Sequence, residues 1–213
     1  LKHASNVPQT ALYLGELFAR AGFPEGAFAT LLVGSDKVEA VLRDERVRAA
    51  TLTGSEGAGR AVAAIAGQQL KKTVLELGGS DPYVVMPSAD LDRAAEVAVT
   101  ARCQNNGQSC IAAKRFIVHT DVYDQFVDAF VAKMSALRVD DPMMDATDVG
   151  PLATEQGRED VEAQIADARD KGATIRCGGT RGEGAGWWFP PTVVTDLTPD
   201  MRMFAEEVFA PVA

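Results

Sequence analysis

Cys110 closes the segment Gln104-Asn105-Asn106-Gly107-Gln108-Ser109-Cys110, a short polar stretch with one glycine. An alanine-rich helical pattern over residues 90–103 leads into it, and residues 113–119 read as a strand after it. A thiol at such a junction is exposed, with backbone N–H groups near it and little bulk around it. Those conditions favour the thiolate, the form that attacks electron-poor carbon. A lone cysteine also serves as small apolar filler, so the residue alone leaves both roles open. The second chemical residue is Glu76, in Val74-Leu75-Glu76-Leu77-Gly78-Gly79. A carboxyl group buried in an apolar strand end titrates closer to neutral pH, as a general base requires. A carboxylate facing solvent at a strand terminus is the alternative.

Composition removes several other chemistries. The net charge is −9 with no basic cluster, which argues against nucleic-acid binding. No apolar run reaches about 18 residues, so no membrane span is expected. The three cysteines, Cys103, Cys110 and Cys177, show no C-x-x-C spacing. A disulfide framework or zinc site is not expected, and a reducing compartment, the cytoplasm, fits best. Only His3 and His119 are present, too few for a histidine triad or a metal site. The three aspartates of the loop at 140–150 lack EF-hand spacing, and the loop reads as solvated.

Strands alternate with helices along the chain. Residues 8–22 carry Ala11, Leu14, Phe18 and Ala21 at helical spacing, with Pro8 in the first turn and Gly22 as the stop. Residues 27–33 read as a buried strand, 36–43 as a short helix, 47–53 as a strand, 55–69 as a helix and 72–77 as a third strand. That order implies parallel crossovers in an α/β sheet. It is half of a Rossmann-like unit, although Gly54, Gly57 and Gly59 do not make a G-x-G-x-x-G fingerprint. Gly78-Gly79 is the expected hinge. Beyond it, 82–86 reads as a strand and Asp90 as a helix cap. Residues 121–137 form an amphipathic helix whose Val122, Phe126, Val127, Phe130, Val131, Met134 and Leu137 face a core. A surface helix at 154–171, a strand at 173–177 and a glycine-rich turn at 178–186 follow. Residues 187–194 read as a strand kept near an edge by Pro190-Pro191.

Glu76-Leu77-Gly78-Gly79, followed about thirty residues later by Gly107-Gln108-Ser109-Cys110, resembles the aldehyde dehydrogenase superfamily. Three more matches fall in order: Lys2, Leu52-Thr53-Gly54-Ser55 with Gly59, and Glu206-Glu207-Val208-Phe209. The resemblance covers essentially the whole chain. Lys2-His3-Ala4-Ser5-Asn6-Val7-Pro8 and Ala113-Lys114-Arg115-Phe116 are most similar to the succinate-semialdehyde dehydrogenase branch.

The resemblance implies an α/β protein whose residues 1–78 are the C-terminal part of an NAD(P)-binding domain. Residues 79–213 would be the thiol-bearing catalytic domain, truncated at its end. It implies that Cys110 attacks an aldehyde to give a thiohemiacetal, then a thioester, and that Glu76 activates the water that hydrolyses it. Gly54 and Ser55 would meet the cofactor pyrophosphate at a helix N-terminus, where unpaired N–H groups and the helix dipole favour an anion. An ordinary serine cap is compatible with that role. Glu207 would hold the nicotinamide ribose hydroxyls, with Phe209 beside the ring. Lys2 would contact the adenosine ribose.

Departures from the pattern carry expectations too. Many NAD-preferring members have a glutamate at the position of Ser5. A serine does not repel a 2′-phosphate, so NADP is expected to be accepted alongside NAD or in preference to it. Gln104 stands where some succinate-semialdehyde enzymes carry an arginine for the substrate carboxylate. Ala210 stands where the family usually has glycine. The substrate implied is a small aldehyde, succinate semialdehyde, and the full-length assembly a homo-oligomer. Two other readings stay open: a non-catalytic dinucleotide-binding or structural protein of the same fold, and an acylating aldehyde dehydrogenase, against which Glu76 argues. Leu1 is not an initiator methionine, and the chain reads as a piece of a longer protein, inactive on its own in this reading.

Overall fold

The computed structural model describes residues 1–213 and divides into two units, Leu1–Leu77 and Gly78–Ala213. In the first, helix α1 (Pro8–Arg20) begins with proline, whose missing N–H costs nothing in a first turn. It ends at Ala21, followed by Gly22 at φ 82°. The expected strand at 27–33 does not form. Leu31 makes one parallel bridge to Lys2, and Leu32 is 58% exposed. A strand needs a ladder of partners, and here only one residue is paired. After α2 (Val38–Arg43) comes a complete βαβ unit: β1 (Ala49–Thr53), α3 (Glu56–Gln68) and β2 (Lys72–Glu76). The two strands pair in parallel, from Ala49 opposite Lys72 to Thr53 opposite Glu76. Parallel strands require such a crossover, and it puts the ends of both strands beside the start of α3.

The second unit begins with another βαβ pattern. Strands β3 (Asp81–Val85) and β4 (Ala113–Val118) are parallel, with α4 (Leu91–Cys103) between them. Asp90 caps α4 by accepting the Arg93 N–H at 3.1 Å. Helix α5 (Tyr123–Ser135) buries Phe126, Phe130 and Met134 in a cluster with Val85, Ala95, Ala98 and Val99. Each of these three large side chains contributes on the order of 2 kcal/mol of burial free energy. The spacing of 126, 130 and 134 is what makes one face of the helix apolar.

Helix α6 (Glu155–Asp170), capped by Thr154, closes a second cluster in this unit. Its Val161, Ile165 and Ala168 share that cluster with Phe189, Val194 and Met201. Strands β5 (Thr174–Cys177) and β6 (Val193–Thr195) pair antiparallel. The expected strand at 187–194 is therefore cut short. Trp187 makes one bridge to Leu152, and pairing resumes at Thr192, bridged to Val212, and at Val193 in β6, because Pro190 and Pro191 have no N–H to give a ladder. A short helix α7 (Arg202–Ala205) precedes the C-terminal segment. No helix is long and apolar enough to cross a membrane.

Candidate active site

Helix α4 ends at Cys103, and the chain must reverse before β4 begins at Ala113. Asn105 and Asn106 make the reversal with left-handed backbones, φ 54° and 56°. Asparagine is among the few side chains that tolerate this region. Gly107 follows at φ 70°, and a Cβ there would strike the backbone of Ala210 and Pro211. The loop is tied down by side chains as well. Asn106 Oδ1 accepts the Gly150 N–H at 2.8 Å, and its Nδ2 donates to the Pro151 carbonyl at 3.1 Å. Gln108 Oε1 accepts the Ala153 N–H at 3.1 Å. Cys110 emerges from this loop half-buried, with Ile111 beside it 81% exposed.

Two buried cations hold the carbonyl side of the same loop. The Arg102 guanidinium, fully buried, donates to the carbonyls of Gly107 and of Ala113, the latter at 3.1 Å. The Lys114 ammonium donates to the carbonyls of Ser109 at 2.9 Å, Cys110 at 3.0 Å and Ala112 at 3.4 Å. Burial lowers the Arg102 pKa to about 10, partly offset by Cys103 and Glu207, so the group stays charged at neutral pH. The loop thus has its carbonyl acceptors taken up by these two cations, while no hydrogen bond of the loop uses the Cys110 N–H. Positive charge lies beneath a site where attack on a carbonyl would create negative charge.

Lys114 also pairs with Glu207. Its Nζ lies 3.0 Å from Glu207 Oε1, with the lysine side chain 2% exposed. Geometry denies Oε1 a hydrogen bond from that ammonium, and it is a buried acceptor without a donor. The other carboxylate oxygen packs so closely on Gly78 that a Cβ there would collide with it. Phe209 is exposed two residues on. Ala210 is fully buried with an ordinary backbone, so this turn needs no glycine. The other two thiols are placed differently from Cys110. Cys103 is buried against Met134, Sγ to Sδ 3.5 Å, and burial pushes its thiol up to about 12. Cys177 ends β5 half-buried and packed against the same core cluster.

The remaining residues singled out in the sequence lie in the first unit. Glu76 ends β2 with its side chain exposed and its carbonyl accepting the Gly54 N–H at 3.0 Å. The burial that would favour a general base is absent within this unit, because an edge of one two-stranded sheet offers nothing to cover the side chain. Ser55 caps α3, its Oγ accepting the Ala58 N–H at 3.3 Å. Gly54 has no left-handed backbone, and a Cβ there would make only ordinary contacts, 3.6 Å from the nearest Leu52 carbon. Lys2 and Ser5 line one cleft of about 530 Å³ together with Gly34 and Ser35.

The family model described as the aldehyde dehydrogenase family matches residues 1–213. The chain belongs to the aldehyde dehydrogenase family. Over all 213 residues it is 68% identical to a succinate-semialdehyde dehydrogenase [NADP(+)] of Mycobacterium avium, of which it covers 45%. It is likewise 68% identical to succinate-semialdehyde dehydrogenase [NADP(+)] 1 of Mycobacterium tuberculosis, covering 47%. The crystal structure of succinic semialdehyde dehydrogenase from Streptococcus pyogenes, in complex with NADP+ as the cofactor, superposes with a TM-score of 0.96. Identity there is 39%, over 100% of this chain and 47% of that one. The chain thus spans under half the length of the curated relatives it matches.

Membership in the aldehyde dehydrogenase family raises the question of whether these residues suit a nicotinamide cofactor. They do, on two observations. Glu207 Oε1 is a buried acceptor that lacks a donor, the kind of group that a hydroxyl would answer. Gly54 is not demanded by the fold at the start of α3, so its missing side chain leaves room for a ligand close to the backbone. Sequence reading gave no role to Arg102, Lys114 or Asn106, although Asn106 and Lys114 lie in segments it singled out. The signal for the cations was faint: two basic residues, each next to or within an alanine-rich run. Nothing in the sequence says that they point inward.

Proposed function

We propose that the protein carrying this chain oxidises an aldehyde, succinate semialdehyde, to its carboxylic acid with NADP. The reading rests above all on Cys110, offered half-exposed on a loop whose carbonyls are clamped by two buried cations. Cys110 Sγ adds to the aldehyde carbon, and the oxyanion that results takes the free Cys110 N–H. The thiohemiacetal C–H bond would break as the oxyanion collapses, leaving a thioester, and NADP, when bound, would supply the hydride acceptor. Glu76 takes a proton from water, the hydroxide adds to the thioester carbon, and the C–S bond breaks to release the acid and the thiolate. Glu76 favours water over a thiol acceptor in this step. Glu207 holds the nicotinamide ribose, Phe209 borders the ring, Gly54 and Ser55 meet the pyrophosphate, and Lys2 and Ser5 take the 2′-phosphate end. Residues 1–78 then belong to the cofactor-binding domain and 79–213 to the catalytic domain.

The names of the relatives support the substrate and the cofactor, and Ser5 supports NADP over NAD. The reading extends to a cytoplasmic enzyme, homo-oligomeric at full length, which three free thiols and a net charge of −9 suit. The test is competitive alkylation of the folded full-length protein, read by peptide mapping across the three cysteines, with aldehyde-dependent NADPH formation measured in parallel. Cys110 should label fastest, and Cys110→Ala should lower NADPH formation by about 10⁴-fold or more. Equal labelling of all three thiols, or activity that survives Cys110→Ala, would discard the mechanism. The cofactor preference fails if NAD is strongly preferred and Ser5→Glu leaves that preference unchanged.

A further inference from the structure

Gln164 sits among Val161, Ile165 and Ala168 on the buried face of helix α6, a place where an apolar side chain is expected. It is 4% exposed, and both protons of its amide are used. One goes to Glu206 Oε2 at 3.1 Å and the other to the Glu207 carbonyl at 3.1 Å. Arg202 holds the same Glu206 carboxylate, its Nε donating to Oε1 at 3.0 Å and its Nη2 to Oε2 at 2.9 Å. Arg202 is in turn tied to α6, its main-chain N–H donating to Asp167 Oδ2 at 2.8 Å. Residues 207–209 join no helix or strand and make no hydrogen bond to other main-chain groups. The bond from Gln164 is therefore what fixes the Glu207 main chain. A buried amide is costly unless its protons are answered, so neither partner can leave Gln164 cheaply.

We propose that Gln164 is a positioning residue that sets the cofactor-facing segment 207–209 against helix α6. The chain enters that helix through residues 150–153, which hold the thiol loop by way of Asn106 and Gln108. One helix thus serves both sides of the site. Its approach holds the Cys110 loop, and Gln164 further along holds the segment that carries Glu207 and Phe209. The inference rests on the proposed roles of those two residues at the cofactor. It concerns what holds them in place, which the roles leave open.

The test uses the full-length protein and the variant Gln164→Leu, which removes both donors and keeps the residue apolar and of similar size. NADP affinity, read by fluorescence titration, should fall about tenfold or more, the scale of a lost hydrogen bond to a charged group. Without NADP, cleavage after Glu206 and Glu207 by a glutamyl endopeptidase should quicken about fivefold or more, since the segment opens locally. Cys110 alkylation should stay within about twofold, because the loop keeps its own partners. Unchanged NADP affinity with a lowered Tm would make the glutamine merely structural and overturn the proposal. A parallel change in affinity and in alkylation, the mark of general loosening, would overturn it too. Should Gln164→Leu not fold, the unaltered protein without NADP decides. Cleavage after Glu207 should be slower than after Glu183 in the glycine-rich turn, and equal rates would overturn the proposal. NADP affinity unchanged in both Glu207→Gln and Phe209→Ala refutes the underlying cofactor roles, an outcome distinct from all of these.

Discussion

Cys110 and Glu76 both sit beside glycines at the edge of an apolar run, yet the chain secures them by different means. The Cys110 loop is fixed from both sides. Asn106 and Gln108 pin it to residues 150–153, Gly107 lets it pass against Ala210, and two buried cations gather five of its carbonyls. Glu76 has only its backbone fixed, through the ladder with β1 and the Gly54 N–H, and its carboxylate is exposed. A nucleophile that must meet carbon at one angle gains from a rigid mount, since misplacement of reacting atoms is costly. A base that works through a water molecule needs less. Comparing the two segments indicates that pre-organisation has been concentrated at the thiol.

The strongest way to break this comparison is Glu76→Gln. Turnover should fall about 10²- to 10⁴-fold, the usual size of a general-base contribution. One equivalent of NADPH should still form in a burst, because the thiol is untouched. A burst lost along with turnover would place Glu76 in the first half-reaction and dissolve the contrast.

Gly107→Ala comes next. It forces a Cβ into the Ala210–Pro211 backbone at φ 70° and should cost about 2–4 kcal/mol, seen as a lowered urea midpoint. A change within error would mean that the loop gives way easily and is not a rigid mount.

Cys103 sharpens the comparison from inside the same unit. Its pKa rises from 9.0 unfolded to about 12 because of burial. The folded state therefore holds a proton that the unfolded state loses, and stability is full below pH 9 and declines as pH rises toward 12. The slope from this group is at most about 1.4 kcal/mol per pH unit, and Cys103→Ala should remove it from a stability series spanning that window. Cys103 should also stay unlabelled near neutral pH in folded protein.

The smallest effect expected is at Ser55. Ser55→Ala removes the α3 cap and should cost about 1 kcal/mol in thermal stability. A weaker affinity for NADP beyond that loss would mark the cap as a ligand contact too.

Much of the fold is legible in the sequence because its signals are local. Pro8, Ser55, Asp90 and Thr154 start their helices where short polar or proline residues meet apolar periodicity, and each helix lies within about two residues of its expected place. The spacing of Phe126, Phe130 and Met134 revealed a buried face before any coordinates did. Two expected strands failed, the first for want of partners elsewhere in the chain and the second for a local reason. Residues 27–33 have apolar content but one bridge, and residues 187–194 are broken where two prolines remove the donors.

The sequence by itself determined the order of βαβ units, the helix starts, and which two residues are proposed as the reacting groups. Residue type and short spacing carry all of these. Only the tertiary structure decided that Lys114 and Arg102 turn inward and that Glu207 is left with an unanswered oxygen. It alone separated Cys103, sealed in the core, from Cys110, held at its edge. Burial is set by what packs over a residue from elsewhere in the chain. The same lysine that would be a solvated surface charge on an open strand becomes, beneath a clamped loop, the group that orders it.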